Sequence, residues 1–157
     1  MSFPIRVRPT ALIIENDAVL LVEYDNLEKG KHYFLPGGGA EEGEVVKETV
    51  RRELLEEAMA EVIVGSVAFL CECEQQQRNI KYSPRAHTLF IVFECQLISG
   101  SVPRLPLNPD INQTAVKWVP LDELHTINLM PDMLESILTF ASEKKSVVMI
   151  EDHRVRV

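Results

Sequence analysis

"LPGGGAEEGEVVKETVRRELLEEAMA", residues 35–60, holds a glycine run and then a strongly acidic, helix-forming segment. Pro36 and Gly37, Gly38 and Gly39 cannot be regular structure, so they form a loop. The glycines open backbone conformations closed to other residues and let the chain approach a ligand closely. A helix is predicted from about Val45 to about Ala58. On a helical wheel at about 100° per residue, with Glu53 at zero, Glu56 falls at about −60° and Glu57 at about +40°. Val50, Leu54 and Ala58 fall at about +60°, +100° and +140° by the same rule. The acidic arc therefore borders the buried arc, and its carboxylates should be partly desolvated. Like charges three and four residues apart repel, and burial is costly unless cations pair with them. Oxygen-only ligands suit Mg²⁺ or Mn²⁺. Divalent metals on this face would make the repulsion tolerable. Arg52, four residues from both Glu48 and Glu56, can brace the carboxylates by charge-assisted hydrogen bonds. Glu44, just before the helix, suits the helix dipole and can add to metal binding.

The charge of the whole chain is concentrated here. Formal net charge is −8 over 157 residues. Residues 41–61 carry eight Glu against Lys47, Arg51 and Arg52, a balance of −5, and the rest of the chain carries −3. Such local acidity points to a site. It argues against broad contact with a nucleic-acid backbone, but not against a small phosphorylated ligand bridged by cations. Hydrophobic residues at 46% and charged residues at 25% describe a globular chain large enough for a real core. "MSFPIRVRPT" has no apolar run of signal-peptide length, and no segment approaches a membrane span. Cys71, Cys73 and Cys95 have no framework spacing, which fits a reduced, cytoplasmic setting. Cys71 and Cys73 alternate along a strand and should face the same way as small hydrophobes.

Around the loop and helix, "VRPTALIIENDAVLLVEY" reads as two strands joined at Glu15-Asn16-Asp17. "KHYF" is a short strand, and "AEVIVGSVAFLCECEQQQ" and "RAHTLFIVFECQLI" are longer ones. "LPLNPDINQ" is a loop. "AVKWVPLDEL" gives a strand and a helical turn, and "MPDMLESILTFASEKK" an amphipathic helix with Pro131 or Asp132 near its start. "SVVMIEDHRVRV" has a short β-like run and then a loose, charged end. Strands flanked by two or three helices predict an α/β sandwich with a mixed sheet.

Gly38, five residues, Glu44, seven residues, then Arg52-Glu53-Leu54-Leu55-Glu56-Glu57 resembles the Nudix box, G-x5-E-x7-R-E-U-x-E-E-x-G-U with U apolar. "FLPGGGAEEGE" and "VKWVPLDEL" are also similar to that family, MutT-like members included. The resemblance implies one domain over residues 1–157, a Nudix-type α/β/α sandwich with a mixed β-sheet and a loop–helix catalytic motif at about 38–60. It implies an enzyme that hydrolyses a nucleoside diphosphate linked to another moiety, with Mg²⁺ or Mn²⁺ assisting water attack on phosphorus. By motif match, Glu53, Glu56 and Glu57 form the metal and base cluster, with Glu44 auxiliary, Arg52 as brace and Gly38 in the loop. The general base differs among family members; here Glu53 competes with Glu72, Glu74 and Glu94. The family's box glycine falls on Met59. A glycine would end the helix in a left-handed conformation, so Met59 predicts a different termination or a slightly longer helix.

Gly39 and Arg8 join Gly38 as candidates to hold substrate. Arg6, Lys31, Arg78, Lys81 and Arg85 are further phosphate candidates, of which one or two at most should touch it. Tyr33, Phe34, Tyr82 and Phe90 could stack a base, although strand aromatics more often build core. Trp118 is expected in the core, Asn108 and Asn112 in turns, and the four histidines outside the chemistry. Residues 75–78, Gln-Gln-Gln-Arg, lack the proline or tyrosine that marks the ADP-ribose and dinucleoside-polyphosphate groups of the family. The substrate is thus a small nucleotide: a nucleotide sugar or ADP-ribose-like compound, or a nucleoside triphosphate. A nucleotide sensor without turnover and an RNA 5′-end pyrophosphohydrolase are the competing functions. No membrane contact and no extensive nucleic-acid binding are expected, and the family includes many homodimers.

Overall fold

The computed structural model describes residues 5–74, 87–151 and 153. In chain order the strands are β1 (Arg6–Leu12), β2 (Ile14–Glu15), β3 (Ala18–Asn26) and β4 (Gly30–Phe34). Then come helix α1 (Val46–Ala58) and strands β5 (Val62–Glu74), β6 (His87–Leu97) and β7 (Gln113–Pro120). A 3₁₀ segment, Leu121–Thr126, and helix α2 (Leu134–Glu143) follow. Asn16 and Asp17 both take left-handed φ, 50° and 58°, in the turn before β3. Those are the residue types that tolerate it best after glycine.

β1 runs parallel to β6, and β5 antiparallel to β6, giving the expected mixed sheet. A second, antiparallel sheet is built on β3, which pairs with β2, β4 and β7. Strand alternation sends neighbouring side chains to opposite faces. Leu12, Val19 and Leu21 join one buried cluster with Ile137 and Phe140 of α2. Ala11, Ile13 and Leu20 join another with Val50, Leu54 and Ala58 of α1. The sheets therefore lie between the two helices, as an α/β/α sandwich. Val50, Leu54 and Ala58 are the apolar arc read from the wheel, and all three are fully buried. Burial of a side chain such as Leu54 or Val50 contributes about 1.5–3 kcal/mol each.

The glycine loop is laid along β1. The Ala11 N–H donates to the Pro36 carbonyl at 2.8 Å, Gly38 N–H to Pro9 at 3.3 Å and Ala40 N–H to Val7 at 3.1 Å. A Cβ on Gly37 would stand 2.5 Å from the Pro9 oxygen. None of Gly37, Gly38 and Gly39 has a left-handed φ; in this loop that falls to Gly43. Close approach, not unusual backbone, is what these three glycines provide.

α1 ends otherwise than expected. Met59 takes the left-handed conformation a glycine would have taken, φ 50° and ψ 34°, and the helix does not run on. The Met59 N–H donates to Leu55 and the Ala60 N–H to Leu54, both at 3.1 Å, and Ala60 is fully buried. Residues after β6 close two more carbonyls. The Arg104 N–H reaches the Ala58 carbonyl at 2.8 Å, and Gln113 Nε2 reaches the Glu57 carbonyl at 2.7 Å. These bonds offset a backbone cost of about 1–2 kcal/mol.

Three smaller expectations resolve here. Cys71 and Cys73 do face the same way, with sulfurs 3.9 Å apart. Trp118 is 37% exposed and not core. The tail's β-like run reduces to a bridge between Val147 and Val67, and residues 152 and 154–157 lie outside the described residues. No helix among the described residues is long and apolar enough to cross a membrane.

Candidate active site

β1, β3, β4, the glycine loop, α1 and the loop before β7 enclose an open cleft of about 530 Å³. Glu53, Glu56 and Glu57 form its acidic wall; Arg6 and Arg8, Gly37 and Gly38 face it, with Tyr24, Phe34, Asp110 and Ile111 around them. The three glutamates are graded in burial, as the wheel required. Glu57 is 3% exposed, Glu53 intermediate and Glu56 exposed.

Glu57 is held by two donors. The Gly37 N–H donates to Oε1 at 3.0 Å and the Tyr24 hydroxyl to Oε2 at 3.2 Å. Burial pushes the Glu57 carboxyl up to about 8. Arg8 and the Gly37 N–H oppose the rise, and the charges of Glu53 and Asp110 add to it. Burial also raises Glu53, against the pull of Arg52. The Tyr24 phenol is raised by burial and then by Glu57 and Asp110, so it stays a donor. Its hydroxyl lies 3.5 Å from Asp110 Oδ2 as well.

Arg52 takes the bracing position read from the sequence. Its Nε and Nη2 donate to both oxygens of Glu44, at 2.8 and 3.0 Å. Nη1 donates to Glu53 at 2.8 Å and to Glu56 at 3.3 Å, and Nη2 to the Gly39 carbonyl at 3.2 Å. Glu48 pairs with Arg51 instead of Arg52. Hydrogen bonds from Arg52 and Thr49 hold the Glu44 carboxyl down at about 2. Gly38 leaves room for Glu53: a Cβ there would stand 2.2 Å from the Glu53 carboxylate and push it from its place. A Cβ on Gly39 would likewise meet the Arg6 guanidinium at 2.6 Å.

Arg8 reaches the cleft from β1. Its guanidinium lies over the Phe34 and Phe90 rings, at 5.5 and 5.8 Å, and donates to the Gly37 carbonyl at 3.0 Å. Among the described residues, its Nε is the buried side-chain nitrogen or oxygen left without a hydrogen-bond partner. A buried donor in that state is costly.

Other candidates are placed elsewhere. Glu72 bonds His87 at 3.1 Å and Glu94 faces Lys144 at 3.5 Å. Neither they nor Glu74 is among the described residues lining the cleft. Lys31 is exposed on β4, opposite Asp25. Tyr33 and Phe90 are core; Phe34 faces the cleft. Asn112 takes a turn role, with φ 69° and its carbonyl accepting the Asp25 N–H at 2.9 Å. Arg78, Lys81, Tyr82, Arg85 and the 75–78 marker region lie outside the described residues.

Tyr24 and Asp110 were not singled out from sequence. Tyr24 shares a strand face with the core residue Val22. Asp110 sits in "NPDIN", where turn composition hides any other role.

Among the described residues, no three His, Cys, Asp or Glu side chains converge as a ready cation cage. The carboxylates turn to Arg52, Gly37 and Tyr24. The donor set still fits a hard divalent cation. It is all oxygen, it carries excess negative charge around a buried glutamate, and each bonded oxygen keeps a lone pair. Mg²⁺ needs only one or two carboxylates, with waters and phosphates completing its shell.

The sandwich with a carboxylate-walled cleft beside a glycine loop defines a class of fold and site. A sequence model of the NUDIX domain matches residues 5–140, and the chain belongs to the NUDIX family, whose enzymes are pyrophosphohydrolases. A search of curated proteins finds no match. Among solved structures, a NUDIX hydrolase from Nitrosomonas europaea is similar at TM-score 0.73 and 19% identity, over 96% of this chain and 100% of that one. A MutT NUDIX hydrolase from Burkholderia pseudomallei gives 0.70 and 23%, over 86% and 97%. An ADP-ribose pyrophosphatase from Streptococcus suis 89-1591 gives 0.62 and 23%, over 92% and 97%. At these identities the likeness establishes the fold.

Proposed function

We propose that the cleft hydrolyses a pyrophosphate bond in a nucleoside diphosphate linked to another moiety, either a nucleotide sugar or ADP-ribose-like compound or a nucleoside triphosphate. The observation that carries this reading is the buried Glu57, ringed by Glu53, Glu56 and Asp110, across one cleft from the guanidinium of Arg8. One wall suits cations and the other suits phosphate oxygens.

Glu53, Glu56 and Glu57 would hold Mg²⁺ or Mn²⁺, with Asp110 near enough to join them. The cation would neutralise the pyrophosphate and lower the pKa of the attacking water. Arg8 would grip a phosphate oxygen through the part of its guanidinium that lines the cleft, and Gly38 and Gly39 leave the backbone open to the substrate. Glu53 or Glu57 takes the proton from water as it attacks phosphorus. Both Glu44 oxygens are engaged by Arg52, which supports a bracing role for Glu44 over direct ligation. Arg52 in turn orients Glu53 and Glu56. The complete carboxylate set gives no support to a sensor without turnover, and the local acidity none to a long RNA contact. A cytoplasmic location is proposed alongside it, and light scattering tests whether the chain forms a homodimer.

Product chromatography tests it. Purified protein is incubated with ADP-ribose, nucleotide sugars, dinucleotides and nucleoside triphosphates, with Mg²⁺, with Mn²⁺ and with chelator. Cleavage that needs metal and yields a nucleoside monophosphate supports the hydrolase. Metal-dependent nucleotide binding without turnover of any of these would transfer the site to the sensor.

A further inference from the structure

Helix α1 leaves its last carbonyls to be satisfied from outside, as every helix does. Because Met59 turns the chain sharply away, the Ala58 and Glu57 carbonyls find their partners at Arg104, between β6 and β7, and at Gln113, the first residue of β7. One of them is a side chain that also touches the far side of the cleft. Gln113 is buried. Its Nε2 donates to the Glu57 carbonyl at 2.7 Å, and its Oε1 accepts the Asp110 N–H at 3.2 Å. Its own N–H donates to the Asp110 carbonyl at 2.9 Å, closing the turn. One planar amide thus joins the backbones of two residues whose carboxylates share the Tyr24 hydroxyl, at 3.2 and 3.5 Å.

We infer that Gln113 is a positioning residue of the proposed hydrolytic site, setting the separation of the Glu57 and Asp110 carboxylates across the cleft. This rests on the reading of the site given above. The loop's other ties hold its two ends: Ser101 Oγ accepts the Glu61 N–H at 2.9 Å, Arg104 bonds Ala58, and Asn112 accepts from Asp25. Gln113 ties the backbones of Asp110 and Glu57 to each other, as the Tyr24 hydroxyl ties their carboxylates. Only a side chain with a donor and an acceptor on one short planar group fits both bonds. An ionised Glu would set an oxygen against the Glu57 carbonyl, and Met would leave both backbone groups unpaired. Groups that orient metal ligands from behind typically matter about 10–100-fold in metal affinity or activity.

The test uses Gln113→Glu and Gln113→Met, both close to Gln in size. Mn²⁺ binding is read from the electron-spin signal of the free ion, kcat and KM from the substrate the product screen identifies, and folding from the melting temperature. The expected result is folded variants whose Mn²⁺ dissociation constant rises about tenfold, with kcat falling by a similar factor. KM should stay within about twofold, because Arg8 and the glycine loop, which grip substrate, are untouched. Folded variants matching wild type in Mn²⁺ affinity and kcat would overturn the inference and leave the hydrolase reading standing. Loss of the fold in both would make Gln113 a purely structural residue and overturn it too. A wild type that binds no Mn²⁺ and cleaves nothing would sink the reading of the site, and this inference with it.

Discussion

Glu23 and Glu57 are the same residue, each 3% exposed, and they behave in opposite ways. Glu23, on β3, accepts from Tyr33 at 2.6 Å, Thr114 at 2.8 Å and Lys117 at 2.6 Å. Burial alone would raise its carboxyl, but those three hold it down at about 2. Glu57, on α1, has an amide N–H and a phenol but, among the described residues, no bonded cation, and it rises to about 8. Burial sets the stakes for a buried acid, and the partner inventory decides the outcome. A carboxylate with its counter-charge built in is structural. One left short of positive charge is where a ligand cation belongs.

The largest expected effect lies on the α1 side. Glu57→Gln should cut turnover by roughly 10³-fold or more while the protein stays folded, measured by product formation at saturating Mg²⁺. Activity within tenfold of wild type would break the contrast by making Glu57 as ordinary as Glu23. The pH dependence of stability should then separate the two. The Glu57 carboxyl is raised on folding, so its contribution is fully present below about pH 4.5 and is lost as pH rises toward 8. In chelator, the melting temperature of Glu57→Gln should match wild type near pH 4.5 and exceed it by roughly 5 °C above pH 8. Added Mg²⁺ should shrink that gap. A gap that does not change with pH would mean Glu57 is already compensated.

Glu23→Gln should act in the reverse sense. The Glu23 carboxyl is depressed on folding, so its contribution is present above about pH 4.5 and disappears as pH falls toward 2. Near neutral pH the substitution should destabilise by about 1–2 kcal/mol in urea unfolding, a figure discounted because Lys117 is half exposed. It should leave kcat alone. The smallest effect is at Met59, 36% exposed. Met59→Gly removes the left-handed strain and should stabilise by about 1 kcal/mol with unchanged activity. A fall in activity would show that Met59 helps to place Glu57, two residues away.

The sequence carried what lies in one contiguous stretch. Gly38, Glu44, Arg52, Glu53, Glu56 and Glu57 could be placed on one loop and one helix face because their spacing is fixed by helical geometry. The turn at Asn16-Asp17, the strands and the final helix were legible through periodicity and turn chemistry. Tyr24, Asp110 and Gln113 were not, since β3 and the loop leading into β7 with that strand's first residue meet α1 only through tertiary packing. The same limit hid the difference between Glu23 and Glu57: a strand glutamate's neighbours Lys117 and Thr114 are more than ninety residues away. Met59 misled because intrinsic preference opposes its conformation, and backbone bonds from Arg104 and Ala60 override it. Trp118 misled because a large apolar residue on a central-looking strand need not be covered.

Gly38 offers a way to silence the site by shape alone. A methyl group at that position would collide with the Glu53 carboxylate, yet it would add no charge and remove no polar side chain. Gly38→Ala would therefore present an approaching nucleotide with the same long-range electric field as the native protein, net charge −8 included. Encounter and chemistry, which act together in the native protein, would then be separable in a single pair of proteins.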